Sequence, residues 1–434
     1  MKKIVSAAIA TSLLAGAAFA ADAKITLNLR QQGTAWDWTK TTTSPKVGDE
    51  TISENDNWVN FNAYGGSADS FKFVLNGDVA GATLELNPDY TNDTTFTVKQ
   101  YNAWLKFGDL KLSAGKWGDG FADGNYRVKK DVDAQNANGQ DFERYKLGSM
   151  FTSSPTKFMD NITNSSAASG VAEYGIGLGD SMKLNLAAAA FSAGGYSKEF
   201  DDYGNNSTHT YNAGWAARAQ FNIDDVLNSE LIFRKANAKK NAFGLYVMPK
   251  ITDALTLNIG GAVGTVKNGG KDKDGKTDDE LYWNVDLRLR YQVTDAFSIT
   301  TFHNISAANS DGGQSLDAGI AGVKGSNGFV KKSSIPVKTA MWNNISGRFK
   351  INDTLTATLN VGLITALADN ELATTKNAKN GLEWRVTPAV QIYAASNASI
   401  WTGIALSGST WTTEAEADLS VFSVAVPVLF RVKM

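Results

Sequence analysis

Strict alternation of apolar and polar side chains along ELYWNVDLRLRYQV, residues 280–293, is the feature that most constrains the fold. One parity is apolar or aromatic and consists of Trp283, Val285, Leu287, Leu289, Tyr291 and Val293. The other parity consists of Tyr282, Asn284, Asp286, Arg288, Arg290 and Gln292. A period of two predicts a β-strand with one apolar face and one charged face. A soluble sandwich would bury the apolar face in a core. A membrane barrel would instead turn it to lipid and turn the charged face to an aqueous lumen.

The same alternation recurs along the chain, in 24–30, 211–221, 355–363 and 382–392, and helix-period segments of useful length are almost absent. Short connections are predicted near 66–69, 107–110, 179–182, 223–228, 249–254, 293–296, 351–354 and 395–398. Outer connections are predicted near 38–56, 87–93, 118–169, 193–208, 238–241, 267–279, 306–335, 367–379 and 409–416. The sequence therefore predicts an all-β, antiparallel transmembrane barrel of about 18 strands, with 16 as the alternative, short turns at one rim and mostly long loops at the other.

Two aromatic residues on the apolar parity give the height of the apolar face. Trp283 and Tyr291 are eight residues apart. At ~3.4 Å per residue and ~40° of tilt, this is roughly 20 Å along a membrane normal, close to the ~25 Å band between the aromatic girdles of barrels. The spacing favours lipid over a sandwich core as the surroundings of this face.

The N-terminus and the composition restrict where the chain works and what it binds. Residues 1–20 have Lys2 and Lys3, an apolar run and a small-x-small end, which predicts a cleaved secretory signal ahead of a barrel over 21–434. The signal holds two of the 42 basic residues and none of the 44 acidic ones, so the chain after cleavage would have 40 basic and 44 acidic residues, a net charge of −4. This balance argues against nucleic acid as a partner. The absence of Cys excludes disulfides and thiolate metal sites.

Two segments resemble Gram-negative porins. YNAWLKFGDLKLSAGKW, residues 101–117, is similar to the hairpin that precedes the longest porin loop, and the longest loop of this chain follows at once, at about 118–169. The last strand keeps one apolar parity to Met434, like the C-terminal signal read by the barrel-assembly machinery, although porins usually end in Phe or Trp. The resemblance implies an outer-membrane location, lipid contact, and a third loop that folds into the pore. It also makes a homotrimer one possible oligomeric state.

Charged residues on the polar parity and in the third loop are the candidates for the pore lining and its constriction. We expect basic rows on the wall, balanced by acids of the third loop, to create a transverse field that favours polar solutes. The candidates are Arg218, Asp286, Arg288, Arg290, Arg348, Arg385, Asp119, Asp123, Arg127, Lys129, Lys130, Asp131 and Asp133.

The sequence therefore predicts passive diffusion of small hydrophilic solutes and ions, without a cofactor. A surface barrel that displays its loops for adhesion is the alternative. GGKDKDGKTDDE, residues 269–280, fails the spacing of a Ca²⁺ loop at both ends, with Gly270 and Leu281 where acids are needed. Only His209 and His303 could act as a histidine base, and neither lies in a catalytic motif, so we do not expect an enzyme.

Overall fold

The computed structural model is an all-β fold of 24 strand segments. It describes residues 22–44, 50–63, 70–89, 95–117, 168–192, 197–200, 206–210, 213–235, 240–271, 277–308, 320–324, 330–333, 339–367, 378–413 and 418–434. The segments are β1 (Asp22–Ser44), β2 (Thr51–Ala63), β3 (Ser70–Asn76), β4 (Ala80–Asp89), β5 (Thr95–Phe107), β6 (Leu110–Lys116), β7 (Ser169–Gly177), β8 (Met182–Ser192), β9 (Ser197–Phe200), β10 (Asn206–Thr210), β11 (Ala213–Ile223), β12 (Leu227–Lys235), β13 (Lys240–Pro249), β14 (Leu255–Lys271), β15 (Thr277–Gln292), β16 (Phe297–Ala308), β17 (Ile320–Lys324), β18 (Val330–Ser333), β19 (Thr339–Lys350), β20 (Leu355–Leu367), β21 (Ala378–Ala395), β22 (Ala398–Gly403), β23 (Ala405–Thr413) and β24 (Asp418–Lys433). Across these ranges there is no helix with the length and apolarity to cross a membrane.

The segments build a closed antiparallel barrel of 18 strands, as the sequence predicts. Twenty segments form one sheet, and β9–β10 and β17–β18 are separate hairpins. β2 and β3 pair with successive parts of β1, so together they are one barrel strand. β22 and β23 are likewise one strand, since both lie between β21 and β24. The barrel closes because β1 pairs with β24 along Asn28–Ser44.

Successive connections alternate between the two rims, and all of the long ones lie at the same rim. The short turns are 77–79, 108–109, 178–181, 224–226, 250–254, 293–296, 351–354 and 396–397. The predicted turn at 66–69 is wrong, and these residues lie outside the described part. They fall between two segments that both run antiparallel to β1, so the chain does not reverse there. The first reversal is at 77–79, where the Gly77 N–H donates to the carbonyl of Ala80, 2.9 Å away.

The alternation of side chains matches the two faces of the barrel wall. On β15, Trp283, Val285, Leu287 and Tyr291 are exposed outward, whereas Arg288 on the opposite parity is buried inside. On β20 the outward residues Leu359 and Val361 alternate in the same way with inward Thr358 and Asn360. The predicted assignment of apolar parities to the outer surface is confirmed for these strands.

The last strand is fixed on both sides and at its end. Its neighbours are β1 and the β22–β23 strand. Two backbone hydrogen bonds join Met434 to Leu27, at 2.7 and 2.8 Å. The outward residues Phe422, Phe430, Val432 and Met434 share one parity, as predicted.

Two prolines of the barrel lie where a strand ladder is interrupted. The carbonyl of Pro388 accepts a hydrogen bond from the N–H of Ile404, the residue between β22 and β23, at 3.0 Å. Pro427 is paired with Thr34, where the register of β1 shifts by one residue. A proline has no N–H to donate, so it costs least where the ladder is already interrupted.

Ion pairs join neighbouring short turns. Lys250 Nζ lies 2.7 Å from Asp225 and 3.0 Å from Asp253, which links the 224–226 and 250–254 turns. The hydrogen bond from Lys250, with its charge, holds the pKa of Asp225 below its usual value. These groups are exposed, so the pairs contribute little to stability.

Placing a charge on the outer face of β15 is expected to destabilise the barrel. Leu287→Arg should cost roughly 2–4 kcal/mol in a bilayer, because an arginine near the midplane of a lipid-facing wall loses its hydration. Arg288→Leu should leave folding nearly intact, since residue 288 faces inward. Urea unfolding in liposomes measures both, and labelling of single cysteines by a water-soluble reagent checks the faces. Modification of position 287 with sparing of 288 would reverse the assignment.

Candidate functional site on the inner wall

Basic side chains on three strands of the barrel point inward. Arg218 on β11, Arg288 on β15 and Arg385 on β21 are all buried, and each lies on the parity opposite to exposed apolar residues of its own strand. The geometry follows from the strand period, because alternate residues face opposite sides of the wall. The inner wall is therefore the side of the barrel on which charge is concentrated.

Two of these arginines, Arg218 and Arg288, have a specific charged or aromatic neighbour. Arg218 lies 3.1 Å from Glu173, and Lys111 lies 3.5 Å from the other oxygen of the same carboxylate. The guanidinium of Arg288 is 4.3 Å from the ring centroid of Phe302, which is a cation–π contact. These contacts hold the guanidinium groups against the wall.

Arg348 belongs to a short hydrogen-bond chain nearer to the short turns. Its guanidinium donates to the Tyr393 hydroxyl at 2.9 Å, and this hydroxyl donates to Gln391 at 2.6 Å. The Gln391 amide donates in turn to Ser399 at 3.1 Å. The chain crosses from β19 to β22, so it fixes the position of this arginine across four strands.

Acidic side chains also line the inner wall, where they pair with lysines or accept hydrogen bonds from amides. Glu85 on β4 lies 3.0 Å from Lys99 and 3.7 Å from Lys72, and it accepts a hydrogen bond from Gln100 at 2.9 Å. Glu230 on β12 accepts from Gln220 at 2.8 Å. Both carboxylates are almost fully buried, so these protein hydrogen bonds replace the hydrogen bonds to water that burial removes.

Strand register orders the inward residues into rows across the wall. Asn258, Arg288, Phe302 and Asn344 stand opposite one another on β14, β15, β16 and β19. The next row contains Arg290. Arg288 and Arg290 are successive inward positions of one strand, about 7 Å apart. Their two charges therefore act on the same depth range of the lumen.

The predicted site residues are placed by the structure as follows. Arg218, Arg288 and Arg385 are buried on the inward parity, and Arg290 and Arg348 are partly exposed there. Asp286 is in β15 on the parity of Arg288, and its side chain is outside the described part. The predicted loop residues lie outside the described residues, namely Asp119, Asp123, Arg127, Lys129, Lys130, Asp131 and Asp133.

Among the described residues, sequence reasoning missed several charged residues of the inner wall, including Arg234, Glu85, Glu173 and Glu230. Arg234 lies 5.2 Å from the Phe191 ring centroid. Alternation within TLELN and SELIFRK would have placed Glu85, Glu230 and Arg234 opposite outward apolar residues. Their strands are short, and the flanking residues weaken the pattern.

An apolar patch also lies on the inward parity, beside the long connection that follows β6. We call it the inner apolar patch, and its buried members are Trp117, Val171, Ala187, Ala189, Phe191, Ala216, Ile232, Ala242 and Tyr246. Ile232 and Tyr246 are 2% and 0% exposed. Alternation alone could not separate these inward residues from outward ones, because both classes are apolar.

The wall therefore combines fixed charges with a protected apolar area. Across the described ranges, no group of three His, Cys, Asp or Glu side chains could hold a metal ion. His303 faces outward on β16, with its Nδ1 2.8 Å from Oδ1 of Asn343, so this histidine does not reach the lumen. Chemically, this wall can form hydrogen bonds with polar solutes and orient them by its charges.

Neither a protein-family model nor a curated protein matches the sequence. Among solved structures, OprD of Pseudomonas aeruginosa is 11% identical with a TM-score of 0.46, and the match covers 94% of this chain and 95% of OprD. OccK2 (OpdF) of the same organism, in complex with glucuronate, is 11% identical with a TM-score of 0.47, over 94% of this chain and 98% of OccK2. OmpT of Vibrio cholerae, an outer membrane protein in its trimer form, is 13% identical with a TM-score of 0.42, over 96% and 100%. This chain is similar to these proteins as a closed antiparallel β-barrel.

Proposed function

We propose that the chain is an outer-membrane porin, a water-filled channel for passive diffusion of small hydrophilic solutes and ions. The observation that carries this proposal is the reversed polarity of the barrel. Exposed apolar side chains cover the outside, and buried arginines, glutamates and amides cover the inside. Only lipid around the barrel and water within it match both surfaces.

Closure of the barrel supports its place in a membrane, and the number of strands supports a water-filled channel. A closed sheet has no unpaired edge, which is the condition for β-structure in a bilayer. An antiparallel barrel of about 16–18 strands is wide enough to leave an aqueous channel between its inward side chains. The pairing of β1 with β24 supplies the closure.

The inner apolar patch supports a third loop that folds into the pore. Apolar side chains on a water-filled wall would lose hydrophobic stabilisation unless other groups cover them. Trp117 ends the described part before residues 118–167, and Val171 follows it closely. The long connection starts and ends beside this patch, and we assign to it the role of covering the patch from inside and narrowing the pore.

Adhesion through displayed loops is the second candidate, and a barrel of this kind would need no polar lumen. The inward Arg218–Glu173 and Lys99–Glu85 pairs favour the channel, because charged wall groups lower the cost of ion entry. An enzymatic role is not proposed: His303 faces outward on β16, and the side chain of His209 lies outside the described part of the chain.

Ion selectivity tests the channel and its basic wall together. In planar bilayers the protein should give stepwise KCl conductance, and Arg288→Gln with Arg290→Gln should shift the reversal potential in a salt gradient toward cations. Removing two positive charges from one depth of the lumen leaves a more negative field for passing ions. The matched control, Lys250→Gln with Lys350→Gln, removes the same charge from exposed rim turns and should shift the potential less.

The outcomes test channel formation and ion selectivity separately. Absence of any conductance step from folded protein would overturn the channel. An unchanged reversal potential in the arginine variant, with normal conductance, would remove Arg288 and Arg290 from the selectivity filter.

A further inference from the structure

Four buried polar side chains form a compact group on the inner wall across β19, β20 and β21. Asn344, Thr358, Asn360 and Thr387 all face inward, and their exposed fractions are 7%, 8%, 0% and 2%. Asn360 stands opposite Thr387 on one side and opposite Ser346 on the other. We call Asn344, Thr358, Asn360 and Thr387 the amide–hydroxyl patch.

The hydrogen-bonding capacity of this patch is not used within the described protein. Five of its side-chain atoms have no hydrogen-bond partner there, namely Asn344 Nδ2, Thr358 Oγ1, Asn360 Nδ2, Asn360 Oδ1 and Thr387 Oγ1. A buried polar atom without a partner costs about 1–3 kcal/mol. A neighbouring inward group on β21 is bonded, since the Gln391 amide donates to Ser399 at 3.1 Å. Such a concentration of unmet groups on three adjacent strands favours a ligand that supplies their hydrogen bonds.

The atoms of the patch select the chemistry of that ligand. Two are amide nitrogens that only donate, one is an amide oxygen that only accepts, and two are hydroxyls that do both. An anion would leave the Asn360 oxygen unmet, and a cation would leave both amide nitrogens unmet. Hydroxyl groups of a ligand both donate and accept, so they match the whole set.

The size and surroundings of the patch fit a ring bearing several hydroxyls. Asn360 and Thr387 stand opposite one another at the centre of the patch, and Thr358 and Asn344 each lie one inward row away, on opposite sides, about 7 Å along the strands. A single ring can reach the central pair together with one of the two flanking groups. Ala389, the residue opposite Thr358, belongs to a buried apolar cluster with Trp401 and Leu429. A sugar presents hydroxyls at its edge and C–H groups on its faces, so the polar patch and its apolar neighbour suit the two parts of one molecule.

We infer that the amide–hydroxyl patch is a binding site for uncharged polyhydroxyl solutes, of the sugar class, on their way through the lumen. This inference rests on the proposed channel function and adds a solute class to it. The charged rows beside it, with Arg385 opposite Gly362 and Arg348 opposite Thr358, are not required for an uncharged ligand.

D-Glucose is the probe for the test. Open-channel current of the full-length protein is measured in planar bilayers in KCl while glucose is added, with correction for the conductivity of each solution. Wild type should show a saturable reduction of current. Triethylene glycol dimethyl ether has a similar mass and only ether oxygens, which accept but do not donate hydrogen bonds, so it should give no saturation.

Asn360→Leu and Thr387→Val, made singly and together, remove the hydrogen-bonding groups with little change of volume. The glucose concentration that halves the saturable effect should rise by about tenfold in the double variant, the result of losing one or two net hydrogen bonds. The matched control is Asn87→Leu. Asn87 is also buried and inward, and its Oδ1 also has no partner in the described part, but it lies on β4, away from the patch. Its glucose dependence should equal that of wild type.

The outcomes distinguish this inference from the proposed channel. If folded wild type carries no current in KCl, the channel itself fails before glucose is added. If it carries current but shows no saturation with glucose, or if Asn360→Leu, Thr387→Val and their combination keep the wild-type concentration dependence, the solute site is wrong and the channel stands. Heat-modifiable gel migration verifies that each variant is folded.

Discussion

Removal of residues 424–434 is expected to leave the protein unfolded and unable to enter a membrane. The deletion takes most of β24, which is the strand that closes the barrel. On β1, residues 28–38 lose their partners, because they pair with Val424 through Lys433 of β24. Ala398–Thr402 of β22 lose theirs as well. Two open edges then face hydrocarbon, where each unpaired backbone group costs several kcal/mol.

Heat-modifiable gel migration measures this outcome, since a folded barrel migrates faster before heating than after it. The truncated chain should run as one unfolded band and should be degraded by added protease. Met434→Phe is the matched control, because the two backbone bonds between residue 434 and Leu27 do not depend on the side chain. It should remain folded. A fast-migrating band from the truncated chain would contradict the role assigned to closure.

The two faces of each strand and the number of strands could be predicted from the sequence because both depend on local residue patterns. A period of two fixes which side chains share a face, and Leu287 and Arg288 lie where this period puts them. Clusters of Gly, Asn and Asp mark most of the short turns. The turn at 66–69 was wrong for a reason that is not local: β1 has 23 residues, enough to pair with β2 and then β3.

The composition of the inner wall was predictable only in part. Arginines on polar parities are visible in the sequence, but inward apolar residues such as Ile232 and Trp401 break the rule that apolar means outward. The amide–hydroxyl patch was not visible at all. Asn344, Asn360 and Thr387 are ordinary polar residues of separate strands, and only the register between those strands brings them together.

Excision of residues 123–140 is expected to enlarge the single-channel conductance and to admit larger sugars. The reason lies in the described wall. The inner apolar patch flanks both ends of the long connection after β6, and its members are almost fully buried although they face the lumen. If the connection covers this patch, it occupies part of the cross-section through which ions pass. Shortening it widens that cross-section, and conductance rises with open area.

A deletion of equal length in another long connection, residues 312–329, is the matched control. That connection lies between β16 and β19, outside the inner apolar patch. Conductance steps and liposome swelling with sugars of increasing size compare the two deletions with wild type. An inward third loop predicts a large change only in the first deletion. Equal conductance and an equal size limit in all three proteins would mean that residues 123–140 do not narrow the pore, and that other groups shield Ile232 and Tyr246 from the lumen.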